Sequence, residues 1–139
     1  MSTEPENEQE KLTDETRANL KNLSKAMLRL HKMLLDAAKI DYETQNGKIT
    51  SVNQYFQLVV DDPHFAWLRK LSALIALIDE AVSVRRPATE AEAQALKNEV
   101  RRLLNFQDAD EAFNEKFQLA LQADKDAVLG YNDALNHLG

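Results

Sequence analysis

Leu20, Leu23, Met27, Leu30, Leu34, Ala37 and Asp41 follow one another at alternating steps of three and four residues. That period lays them along one stripe of an α-helix. Arg17, Lys21, Lys25, Arg29 and Lys32 fall on the opposite face, so the segment predicts a long amphipathic helix. Thr13 or Asp14 can cap its start, and Asn46-Gly47 stops it near Gln45. A stripe this long needs other helices to cover it.

The rest of the chain supplies them. A short second helix is predicted after the Gly47 turn, with Ser51 as cap, Gln54 at the capping-box position and Val52, Tyr55, Phe56 and Val59 as its apolar face. A strand competes for Tyr55 to Val60 but would have nothing to pair with. Asp62-Pro63 opens a third helix, expected to run to about Val84, with Trp67, Leu71, Leu74, Ile75, Ile78 and Val82 on its core face. Thr89 and Glu92 form a capping box at the head of a fourth, whose stripe is Ala93, Leu96, Val100, Leu103 and Leu104. A break and a new cap are expected near Asp108-Ala109-Asp110; one continuous helix is the alternative, since no Gly or Pro intervenes. The fifth helix carries Phe113, Phe117, Ala120, Asp124, Ala127, Tyr131, Ala134 and Leu138. The fold class is therefore all-α: an antiparallel helical bundle of four long helices plus one short helix.

Charge is unevenly distributed. Residues 1–16 carry six acids against Lys11, so most of the net charge of −6 belongs to the N-terminus. Residues 1–12 are expected to be a disordered acidic tail, and residues 13–139 a single bundle domain. Arg17 to Lys48 is basic and Asp108 to Asp133 is acidic, which favours the first and fifth helices as neighbours. The chain has no cysteine, which excludes disulfides, thiolate metal sites and a cysteine nucleophile, and fits a reducing compartment. No secretory signal or membrane-length apolar run is present, so a cytoplasmic location is the expectation.

The candidate polar residues are few. No Glu-x-x-His occurs, the nearest match being Asp61-x-x-His64, so neither a metal nor another cofactor is expected. His64 sits in the first turn of the third helix, either as a base oriented by Asp61 or, the favoured reading, as a ring packed at a helix end. Trp67 reads as a core anchor. Asp124 lies in the middle of the fifth helix's apolar stripe, and His31 at the margin of the first helix's stripe. A partly buried Asp124–His31 contact is therefore expected, because a buried carboxylate needs a partner. Asp79 is expected to pair with Arg101 or Arg102. Tyr131 completes a possible polar site with His31 and Asp124.

The stretch "PHFAWLRKLSALIALIDE", residues 63–80, resembles a segment of small uncharacterised bacterial all-helical proteins. The resemblance implies a bacterial, cytoplasmic, helical protein and carries over no catalytic or binding residue. No phosphate loop, nucleophile elbow or triad order is present, so the reading leans away from an enzyme. The leading expectation is a protein-interaction or regulatory module, acting by self-association or on a partner helix. A small-molecule-binding or catalytic bundle around His31 and Asp124 is the alternative. Nucleic-acid binding through the basic stripe ranks third, because no aromatic is interleaved with it and the body is near neutral.

Overall fold

One unbroken helix of 33 residues, α1 (Asp14–Asn46), organises the molecule. The computed structural model describes residues 10–83, 85 and 88–138. Six more helices follow among them: α2 (Val52–Asp61), α3 (Pro63–Ala66), α4 (Arg69–Ala81), α5 (Glu90–Leu104), α6 (Glu111–Ala123) and α7 (Lys125–Asn136). The all-α class holds, and the described residues form no strand.

Thr13 caps α1 by accepting the Thr16 N–H at 3.0 Å. The helix ends at Gly47, whose φ of 89° suits a residue without Cβ, and whose N–H donates to the Glu43 carbonyl at 2.9 Å. Leu20, Leu23, Met27, Leu30 and Leu34 are buried, as their spacing predicts. Leu34 is the last fully buried residue of α1; along its final three turns, a partly exposed overhang, Leu35, Ala38 and Tyr42 still pack against the core on one side.

Two helices flank α1 in the opposite direction. On one side Arg17 donates to the Val82 carbonyl and Ser24 to Asp79, so α4 descends as α1 rises. On the other, Arg29 pairs with Asp133 at 2.6 Å while Leu30 and Met33 face Gly130. A Cβ at position 130 would lie 3.1 Å from Met33 Sδ and 3.5 Å from Leu30 Cα, so glycine lets α7 approach the α1 backbone closely. The charge asymmetry thus does identify neighbouring elements.

Several boundaries differ from the expected ones. The third helix is not continuous: Leu68 N–H donates to Phe65 O and Leu71 N–H to Leu68 O, both three residues back. Such tight turns keep Phe65, Leu68 and Leu71, all buried, along a single line, where a straight α-helix would fan them apart. Its expected end at Val84, with Arg86 and Pro87 beyond, lies outside the described residues. The fifth helix is also divided, at Asp124, whose backbone is extended (φ −136°, ψ 110°). The break at Asp108–Asp110 is present, and the continuous-helix alternative is not. So the four long helices resolve into one long helix and several short ones.

The N-terminal expectation is mostly outside the described residues. Glu10 to Leu12 are described and dock against the start of α5: Leu12 N–H donates to Ala88 O, Glu90 N–H to Glu10 O, and Leu12 is buried. Glu90 also accepts from Thr13 N–H at 2.8 Å and from Thr16 Oγ1 at 3.0 Å. Its carboxylate therefore serves the N-termini of α1 and α5 together, where helix dipoles favour negative charge.

Candidate functional site

α2 has no buried residue, although its 3.6-residue period brings six apolar side chains to a broad face. Tyr55, Leu58 and Val59 turn inward. Tyr55 lies 6.2 Å from the Phe65 ring and beneath Lys39, whose Nζ stands 5.3 Å from the ring centre. Val52, Phe56 and Val60, four residues apart, are left on the outside at 83%, 64% and 46% exposure. Ile40, on the overhang of α1, is 65% exposed as well. The result is a narrow apolar ridge flanked by Asn53 and Gln57, which carry no charge.

The overhang also forms one wall of a cleft of about 440 Å³. Leu34 and Ala38 line it from α1, His64 and Trp67 from α3 and the turn after it, and Lys116 and Ala120 from α6. His64 donates Nε2–H to the Ala38 carbonyl at 2.9 Å; a carbonyl can only accept, so Nε2 carries the proton. Asp41 Oδ2 lies 3.6 Å from the same nitrogen. The His64 ring meets Phe65 and Tyr42 edge-on at 5.0 and 5.6 Å. His64 thus ties α3 to α1 through the Ala38 carbonyl on another helix; the carboxylate beside its ring is Asp41, not Asp61, and Asp62 accepts its backbone N–H at 2.8 Å as the expected cap. Trp67 is only half-buried: one face meets Phe113 and Phe117 at 6.1 and 6.4 Å, and another borders the cleft.

The other expected site residues are not brought together. Asp124 caps α7 by accepting the Asp126 N–H at 2.9 Å. By the Arg29–Asp133 and Leu30–Gly130 contacts, His31 is level with residues near 131. Asp124 therefore lies about two helical turns away, on the order of 10 Å, and the expected Asp124–His31 contact is absent. An aspartate in an apolar stripe has a second way out besides pairing: its side chain competes for backbone N–H groups and ends the helix. Tyr131 donates to the Leu104 carbonyl at 2.7 Å and stacks on Phe106 at 5.9 Å, and burial pushes its hydroxyl pKa up. It braces the core. Asp79 accepts from Ser24 and not from Arg101 or Arg102. Arg101 donates instead to the Leu138 carbonyl at 2.8 Å, and Arg102 to Glu99 and Asp108.

His31 makes no hydrogen bond among the described residues, and burial holds its pKa below the ordinary 6.5. A lowered base pKa means that the unfolded chain binds the extra proton first. Stability from this site is therefore complete above about 6.5 and falls as pH drops through that value towards the folded pKa. Urea unfolding at pH 7.5 and 5.5 should show a smaller acid-side loss for His31→Gln than for the wild type. The difference cannot exceed about 1.4 kcal/mol per pH unit, the slope of one proton. Equal losses in the two proteins would remove His31 from the account.

The acid that the sequence reading missed is Asp108. It is buried, accepts from Arg102 at 2.6 Å and from Asp110 N–H at 2.9 Å, and pairs with Lys70 at 3.2 Å. Asn114, also buried, exchanges two hydrogen bonds with its backbone. Asp-x-Asp near a helix start was the available signal, but it pointed only to a cap.

Among the described residues no group of three or more His, Asp or Glu is placed to hold a metal ion, and no helix is long and apolar enough to cross a membrane. No protein-family model, curated protein or solved structure matches this chain.

Proposed function

We propose that the protein is a non-enzymatic protein-interaction module that binds through the outer face of α2. The ridge of Val52, Phe56 and Val60 carries this reading, because three large apolar side chains at one helical spacing stay in water while the inner face of the same helix is already used. Scattered exposed apolar residues are ordinary; a row of three along one helix matches the way an amphipathic helix presents itself to a partner. The helices are read as an antiparallel bundle that displays this ridge beside the α1 overhang. The absence of cysteine supports action in a reducing compartment such as the cytoplasm.

The test separates folding from binding. A Val52→Ser, Phe56→Ser, Val60→Ser triple variant should unfold in urea within about 0.5 kcal/mol per site of the wild type, as exposed positions do. It should also lose the ridge-dependent protein contacts that the tagged wild type makes in cross-linked cells. A destabilisation of core size, about 3 kcal/mol or more, would show instead that the ridge serves the fold.

A further inference from the structure

We infer that the partner of the α2 ridge is a second copy of this chain, joined across a two-fold axis at Phe56 with the two α2 helices antiparallel; this rests on the reading above. The register follows from the spacing. Val52, Phe56 and Val60 are evenly placed about Phe56, so an antiparallel copy sets Phe56 against Phe56, and Val52 against Val60, at both ends. The neighbouring row of Asn53, Gln57 and Asp61 then meets its own copy in reverse. Gln57 faces Gln57, and Asp61 faces the Asn53 amide.

Charge selects this direction over the parallel one. The first turn of α2 holds no acid, its last turn holds no base, and Lys48 stands exposed just ahead of it. Asp61 closes the helix at the other end, exposed. Neither Lys48 nor Asp61 has an ion pair among the described residues. Antiparallel pairing brings the acidic end of one α2 to the basic, dipole-positive end of the other, whereas parallel pairing sets Asp61 against Asp61. A ten-residue helix covers less than the roughly 800 Å² per partner of a standard interface. The dimer is accordingly weak and depends on concentration.

A chain without cysteine makes the geometry directly readable. Single-cysteine variants of the full chain at positions 52, 56 and 60 would be oxidised mildly at high concentration, alone and in mixtures, with sedimentation equilibrium on the uncysteinylated protein in parallel. Phe56→Cys should cross-link to itself, and Val52→Cys should cross-link to Val60→Cys but poorly to itself. Phe56→Glu should weaken the dimer more than about 100-fold, since each copy loses its central aromatic anchor, with its helical circular dichroism unchanged. Lys48→Glu and Asp61→Lys should each weaken it, and the double variant should recover. Self-cross-linking at position 52 as fast as at 56, or a dimer indifferent to Phe56→Glu, would overturn the proposal. A monomer at every concentration would overturn it too. If that monomer still binds a different protein through Phe56, only the two-fold dimer fails; if it binds none, the interaction reading fails with it.

Discussion

Phe117→Ala should lower the unfolding free energy by about 3–5 kcal/mol, the range for truncating a fully buried aromatic. Phe117 is completely buried at the centre of an aromatic cluster. Its ring lies 5.3 Å from Phe106, 5.7 Å from Phe113, 5.9 Å from Tyr131 and 6.4 Å from Trp67. Those rings come from α5's exit turn, α6, α7 and the α3–α4 turn, so the cavity left by alanine cannot be filled by moving one element. Phe106 adds to the loss. It holds a left-handed backbone (φ 58°), a conformation that costs a non-glycine residue about 1–2 kcal/mol, and its contacts with Phe117 and Tyr131 offset that strain. Urea unfolding followed by the emission of Trp67, the single tryptophan, reads the effect beside the cavity itself. Phe56→Ala on the exposed ridge is the matched control and should change stability by no more than about 0.5 kcal/mol. Equal losses at the two positions would contradict this division between core and ridge.

What the sequence made legible follows from which forces are local. The α1 stripe, the Thr13, Ser51, Asp62 and Thr89 caps, and the Asp110 restart all depend on residues within one or two turns of each other, and all are present. The divisions at Trp67-Leu68 and at Asp124 were hidden for a different reason. Each is a compromise between helix continuity and burial, and only the neighbouring helices decide it. Leu68 breaks the run so that it can line up with Phe65 and Leu71. Asp124 breaks it to escape an apolar position. The Phe106 turn was hidden because the residue at its left-handed position is not the glycine that usually marks one; the Gln107 N–H bond to Arg102 O closes the helix end all the same. For the polar residues, pairing across helices rests on sign and on approximate height, and neither fixes register to within a turn. Arg102 had three acids within reach of such an argument and chose Glu99 and Asp108, while Asp79 took the nearer hydroxyl of Ser24. The α2 ridge was visible only in part, because its apolar face is wide enough to read as buried throughout, and exposure depends on how far α1 and α3 reach.

Asp108→Ala should cost about 2–4 kcal/mol, because it strips a buried acceptor from Arg102, Lys70 and the Asp110 N–H at once. The two cations are partly exposed and can turn back to water, which holds the loss below that of a sealed ion pair. Asp108→Asn isolates the charge, since the amide oxygen can still accept from Asp110 N–H and the backbone exchange with Asn114 is untouched; it should cost less than alanine. Burial alone would raise the Asp108 pKa, but the Asp110 N–H, Arg102 and Lys70 outweigh it and hold the carboxyl below its ordinary value. A lowered acid pKa contributes stability above the unfolded value of about 3.9, and that contribution disappears as pH falls through the folded pKa. The gap between wild type and Asp108→Asn in urea unfolding should therefore be full at pH 7 and should narrow at pH 3. Asp133, held low by Arg29 on another part of the molecule, titrates in both proteins and cancels in the comparison, whereas Glu99 shares Arg102 with Asp108 and contributes to the gap itself. A gap that stays constant down to pH 3 would mean that shape and hydrogen bonding, and not charge, make Asp108 the anchor of the α5–α6 turn.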